Sequence, residues 1–177
     1  MPGRIRRDPR LQLLWIALLV ALALLSKWLE PYLLPSASSE PNNEGEQEIL
    51  RVVDGDTLLL KRNRVRVRLQ GIDTPETVKD NTPVQAWGPE ATAYTKRFVE
   101  EAGGKLFFTI DGEREDQYGR KLRFVWHDER LLNEELVAAG LAKAKLAYDY
   151  SQPMKDRLRE AQNRARRARI GIWSTSH

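Results

Sequence analysis

Thr57-Leu58-Leu59-Leu60-Lys61-Arg62-Asn63-Arg64-Val65-Arg66-Val67-Arg68-Leu69-Gln70 reads as two extended arms about a polar turn. In the second arm Val65, Val67 and Leu69 alternate with Arg64, Arg66 and Arg68, the period-2 pattern of a strand with one buried face. Thr57 to Lys61 forms the other arm, and Arg62-Asn63 the bend of a hairpin. Just upstream, Ile49 to Val53 is a further strand, ended by the turn tripeptide Asp54-Gly55-Asp56. Downstream, Gly88-Pro89-Glu90 opens a helix whose apolar face carries Ala91, Tyr94 and Phe98, and Gly103-Gly104 stops it. Lys105 to Ile110 and Leu122 to His127 are two more strands, joined by the polar loop from Asp111 to Arg120. Asn133 is placed to cap a short helix that Gly140 ends. Met154, Leu158, Ala161, Ala165 and Ala168 form the apolar stripe of a last helix. This order predicts an α+β fold, mainly β: a five-stranded OB-type barrel with three helices, spanning residues 48–174.

Ahead of that domain the chain changes character. Arg4, Arg6, Arg7 and Arg10 precede an apolar run from Leu11 to Leu25, broken only by Gln12. A basic flank before an apolar run is an export or anchoring signal that leaves the N-terminus cytoplasmic. Lys27, Trp28 and Glu30 stand where a cleavage site needs small residues, while Trp28, Tyr32 and Leu33 can extend the helix into the membrane interface. Residues 1–34 are therefore expected to be a retained anchor with the domain extracytoplasmic; the alternative is a signal whose cleavage secretes the protein. Residues 35–47, PSASSEPNNEGEQ, read as a flexible linker.

Composition narrows the chemistry. The 177 residues carry a formal net charge of +4, which favours polyanionic partners. The chain has no cysteine and two histidines, so thiolate sites are excluded and a zinc enzyme is disfavoured. Any catalytic metal should be a hard cation bound by oxygen. Trp126, Trp173 and the arginines of the last helix read as ordinary core and solvated residues.

If the hairpin bends at Arg62-Asn63, Asp56 folds back beside residues 68 to 70, and Asp73-Thr74-Pro75-Glu76 emerges at the same end. Asp56, Asp73, Glu76 and Arg68 then fall within one small region. Spacing alone leaves two readings: turn sequences that happen to be acidic, or a carboxylate cluster that binds a cation.

The ordered set of Asp54-Gly55-Asp56-Thr57, Arg68 to Glu76 (RLQGIDTPE), Gly88-Pro89-Glu90-Ala91, Asp116-Gln117-Tyr118-Gly119-Arg120, Asn133-Glu134, Gly140-Leu141-Ala142 and Ile172-Trp173-Ser174 resembles the staphylococcal nuclease (thermonuclease) family. The resemblance covers residues 48 to 174 and implies the OB-type barrel with three helices found above. It implies an enzyme that hydrolyses phosphodiester bonds of DNA and RNA with little sequence preference, leaving 3′-phosphate ends. It further implies that Asp56, Asp73 and the Thr74 carbonyl bind Ca2+, that Glu76 is the general base, and that Arg68 and Arg120 hold the scissile phosphate. Tyr118 would lie beside the nucleotide, and Tyr148 or Tyr150 would line the base pocket. The stretch Ala144–Tyr150 is longer than the family's usual one, and the loop 77–87 carries fewer lysines. A calcium-dependent phosphodiesterase acting as a monomer is the expectation; the alternative is a non-catalytic nucleic-acid-binding module on the same fold.

Overall fold

The computed structural model describes residues 43–77 and 83–174. The chain divides into two units at Asn42/Asn43, and the second contains every described element. The candidate anchor, residues 1–34, lies outside the described residues. Among the described residues no helix is long and apolar enough to cross a membrane.

The domain is a closed barrel. Strands β1 (Gly45–Asp54), β2 (Thr57–Leu60) and β3 (Arg66–Leu69) run as an antiparallel meander, with Leu58 opposite Val67 in the hairpin. Strands β5 (Lys105–Thr109) and β6 (Lys121–His127) form a second antiparallel pair. The two groups meet twice. β1 pairs with β5 through Gly45–Glu48, and β3 pairs with β6 in parallel, with Arg68 opposite Leu122. The parallel seam closes five strands into a barrel of α+β class, as the sequence predicts. β1 serves both groups because its register slips between Ile49 and Arg51 and again between Val52 and Asp54, and such bulges bend a strand around a corner. Three two-residue strands were not legible: β4 (Ile72–Asp73), which pairs with β8 (Lys143–Ala144), and β7 (Arg130–Leu131), which extends β6.

Two sequence expectations change here. The linker expected over residues 35–47 overlaps the fold, because Gly45, Glu46 and Gln47 pair with Phe108, Phe107 and Leu106. Their polar composition is that of an edge lying over solvent, so it resembles a spacer. Asn43 is already buried, and its side chain accepts a hydrogen bond from Asn63 at 2.8 Å. The domain accordingly begins at residue 43 among the described residues. Secondly, the helix α2 (Leu132–Ala138) starts two residues earlier than expected, with Leu131 at its N-cap. Asn133 is fully buried: its amide oxygen accepts from Val125 N at 3.0 Å, and its amide nitrogen donates to Gln70 O at 2.8 Å. It fastens β6 to the end of β3 instead of capping a helix.

Helix α1 (Gly88–Glu101) starts with Pro89 in its first turn and buries Ala91, Thr95 and Phe98. Helix α3 (Gln152–Ala168) buries Leu158, Ala161 and Ala165, three of the stripe's five members, and packs on α2. Its arginines face outward into pairs: Arg157 and Arg164 meet Glu134, Arg159 meets Asp156, and Arg166 stacks on Trp173. The barrel interior is filled by Leu58, Leu60, Val67, Leu69, Phe108 and Val125, each at most 1% exposed, while Phe124 is buried on the other face of β6 against Tyr150.

Candidate active site

The site grows out of the turn Asp54-Gly55-Asp56. Gly55 lies so close to α1 that a Cβ there would sit 2.8 Å from that of Ala91, so no other residue fits without displacing the helix. Thr95 of α1 donates to Gly55 O at 2.6 Å and locks the contact. Asp54 accepts from Gly55 N at 2.7 Å, Thr77 Oγ1 at 2.6 Å and Thr92 Oγ1 at 3.2 Å. Burial alone would raise its carboxyl, but hydrogen bonds with Thr77, Gly55, Glu76 and Thr92 bring it below the ordinary carboxylate value.

Asp56 is 2% exposed and points toward β3. One oxygen accepts from the Arg68 guanidinium and from Thr57 Oγ1 at 3.1 Å; the other accepts from Thr74 N at 3.0 Å. Burial pushes the Asp56 carboxyl up, and Arg68 and the Thr74 N–H pull against it. The second arm of the same guanidinium donates to Asp73 Oδ1 at 2.6 Å. A single cation therefore gathers Asp56 from β2's entry and Asp73 from β4. Asp73 Oδ2 also meets Lys145 Nζ at 3.1 Å.

Opposite stands the loop between β5 and β6. Asp116 organises it: Oδ1 accepts from Tyr118 N at 2.9 Å and Arg120 N at 3.0 Å, and Oδ2 from Arg120 Nε at 2.7 Å. Burial alone would raise the Asp116 carboxyl, but the hydrogen bonds and charge supplied by Arg120, with the Tyr118 N–H, hold it low. The Arg120 guanidinium lies 5.5 Å from the Tyr118 ring, which is 74% exposed. Gln70, itself buried, donates to Asp111 O at 2.6 Å and fixes where this loop leaves the barrel.

Arg68, Asp73, Tyr118, Arg120, Lys145 and Tyr148 line one cleft of about 470 Å³. Another hollow, of about 510 Å³ beside Phe107 and Trp126, has Lys105 as its lone lysine or arginine and two carboxylates, Glu46 and Asp128, so it lacks the convergence an anion needs. The structure brings Arg68, Asp73, Tyr118, Arg120 and Tyr148 together in this cleft, and Asp56, joined to Arg68 and to Thr74 N, lies behind it. Two residues sit elsewhere. Tyr150 is 4% exposed, donates its hydroxyl to Lys145 O at 3.0 Å and packs edge-on to Phe124, so it belongs to the core and does not line the cleft. Its burial pushes the phenol up to about 12. Glu76 does not line the cleft either: its carboxyl is hydrogen-bonded to Asp54, and its backbone is tied on both sides to Gln85. Two carboxylates, not three, converge on Arg68.

Sequence reasoning missed Asp54, Gln70, Asp116 and Lys145. Asp116 could have been found from its spacing, since an aspartate two residues before a Tyr-Gly pair is a turn former that binds its own backbone. Gln70 and Lys145 act through contacts distant in sequence and left no such mark.

A hard cation is the only kind this donor set suits. Asp56 and Asp73 supply carboxylate oxygens already gathered about one positive group, and no sulfur exists in reach. Among the described residues no three acidic or histidine side chains form a cage, so backbone carbonyl and solvent must complete any coordination.

A small closed five-stranded barrel with two arginines, an aspartate and exposed tyrosines in one cleft defines the class as an OB-type domain. The family model described as staphylococcal nuclease homologue matches residues 66–175, and the chain belongs to that family. It is 39% identical over 141 residues to the thermonuclease of Staphylococcus hyicus, covering 78% of this chain and 82% of that one. The thermonuclease of Staphylococcus intermedius is 38% identical over 142 residues, covering 78% and 83%. Endonuclease YncB of Bacillus subtilis is 34% identical over 146 residues, covering 77% and 67%.

Proposed function

We propose that this chain is a calcium-dependent nuclease that hydrolyses phosphodiester bonds of DNA and RNA with little sequence preference and leaves 3′-phosphate ends. The observation that carries the reading is the placing of Arg68 and Arg120 in one cleft with Asp73, with Asp56 buried behind them. Those are the groups a phosphodiester requires: charge to offset its own, and carboxylates to seat a cation beside it. Membership of the family and the names of its thermonuclease relatives support the same activity.

Asp56, Asp73 and the Thr74 carbonyl would hold calcium, which supplies positive charge to the phosphate and acidifies water. Arg68 and Arg120 fork onto the non-bridging oxygens, where charge grows in the transition state. Asp116 fixes the direction of the Arg120 fork before substrate arrives, so little reorganisation remains for the chemical step. Glu76, which rests on Asp54 outside the cleft, would turn into it to accept the proton of the attacking water. The water oxygen bonds to phosphorus and the bond to the 5′-oxygen breaks, which leaves the phosphate on the 3′ side. Tyr118 and Tyr148, 74% and 55% exposed, offer flat faces to bases. Stacking of that kind tolerates any base and accounts for low sequence preference. The N-terminal segment completes the proposal as an anchor that holds the domain on the extracytoplasmic side.

The test is cleavage of single-stranded and duplex DNA and of RNA by the purified chain, with end-group analysis of products. Activity in calcium, little in magnesium, none in chelator and 3′-phosphate ends are expected. Undiminished activity in chelator overturns the metal assignment. Binding without cleavage in calcium would make the chain a non-catalytic nucleic-acid-binding module.

A further inference from the structure

Lys145 is the cationic residue of the cleft that no step above uses. Its backbone is fixed on both sides: its N–H donates to Gly71 O at 2.8 Å, and its carbonyl accepts from Tyr150 at 3.0 Å. Gly71 itself adopts φ +73, and a Cβ there would meet Tyr150 and Leu158 within 3 Å, so this junction is tight. The neighbouring β4–β8 pair sets Asp73 opposite Lys143. These constraints carry the Lys145 side chain over the cleft, where it is 40% exposed and rests on Asp73 Oδ2 at 3.1 Å.

Asp73 thereby has a cation on each oxygen, Arg68 on one and Lys145 on the other. A metal ion that takes Asp73 competes with both. Arg68 is paired with Asp56 as well, whereas among the described residues Lys145 has no carboxylate partner besides Asp73. Its ammonium, on a flexible stem in the cleft that Tyr148 also lines, has the cleft's bound polyanion as its natural next partner.

We propose that Lys145 is a substrate-positioning residue: it rests on Asp73 in the metal-free protein and passes to a backbone phosphate of the nucleic acid once the cation is bound. This rests on the proposed nuclease reading. As a point charge beside an aromatic face it would hold a phosphate flanking the cleaved one, adding to affinity more than to the chemical step.

The experiment compares the full-length chain with Lys145→Met and Lys145→Arg. Calcium affinity is measured by titration calorimetry without substrate. Affinity for a phosphorothioate single-stranded oligonucleotide in calcium is measured by fluorescence anisotropy across salt concentrations. Removing a competing ammonium should tighten calcium binding severalfold in Lys145→Met. The same variant should bind the oligonucleotide roughly tenfold more weakly, with a log–log salt slope smaller by about 0.7. In cleavage assays KM should rise while kcat stays near its original value, and Lys145→Arg should recover the oligonucleotide affinity. Tighter calcium binding with unchanged oligonucleotide affinity would reduce Lys145 to a partner of Asp73 and overturn the proposal, as would no change in either. Failure of the unsubstituted chain to bind calcium or oligonucleotide would instead sink the nuclease reading, so the two failures are distinct.

Discussion

Arg120 is held by Asp116 through its side chain and its backbone together. It has no place in the barrel core, so its removal should cost function without cost to the fold. Arg120→Ala is expected to lower kcat by about 10²–10³, the effect of losing one preorganised donor to a developing oxyanion, with an unchanged melting temperature. Asp116→Asn should weaken activity less, because the guanidinium remains but loses its fixed direction. The same substitution has a pH signature. Asp116 is held below its unfolded value, so its stabilising contribution is full above that value and drains away as pH falls through the folded one. Melting temperatures of the original chain and Asp116→Asn should differ by a constant amount from pH 7 to about 5 and converge once the pH has fallen below the ordinary carboxylate value. A gap that widens on acidification would contradict the assignment. At this scale the sequence was informative where a motif names its residue, as with Asp56, Asp73, Arg68 and Arg120. It misplaced Tyr150, because two tyrosines one residue apart look alike in a string while only Tyr148 is left in solvent.

Elements were legible where hydrophobic period and length agree. The β2–β3 hairpin and α1 follow their patterns almost to the residue. What the pattern could not reveal are contacts made by polar residues inside the fold. Asn133 carried the signature of a helix cap, yet its three side-chain hydrogen bonds tie β6 to the end of β3. Asn133→Ala would leave Val125 N and Gln70 O buried without that partner. A loss of about 2–4 kcal/mol is expected in denaturant unfolding, with the slope m unchanged. Asn133→Asp should be no better, since a carboxylate cannot donate to Gln70 O. The start of β1 was obscured for the opposite reason. An edge strand with one wet face need not be apolar, and Gly45–Gln47 are recognisable as strand only from their partners in β5.

For the whole molecule, cation and fold should be linked. Asp56 is buried and its carboxyl is pushed up, so ionising it costs free energy that a bound cation offsets. Calcium at 100 times its dissociation constant should stabilise the domain by about 2.7 kcal/mol, visible as a rise in melting temperature that Asp73→Asn largely abolishes. An unchanged transition in saturating calcium would argue against a site at Asp56 and Asp73. The N-terminal segment lies apart from this linkage: fractionation with protease protection should find the chain with membranes and its domain outside.

The barrel's one parallel seam joins β3 to β6, setting Arg68 opposite Leu122. Everything on the near side of that seam, both aspartates and the first arginine, is synthesised early. Arg120 and the strand that closes the barrel come later. A nascent chain that has not yet emerged as far as β6 therefore holds half of a cleft and no interior to support it. Competence arrives with closure, in one step, because the seam that completes the core is also what carries the second arginine's loop into place. For a nuclease of this family that ordering is a form of latency: the cleft holds both arginines only once the barrel is closed.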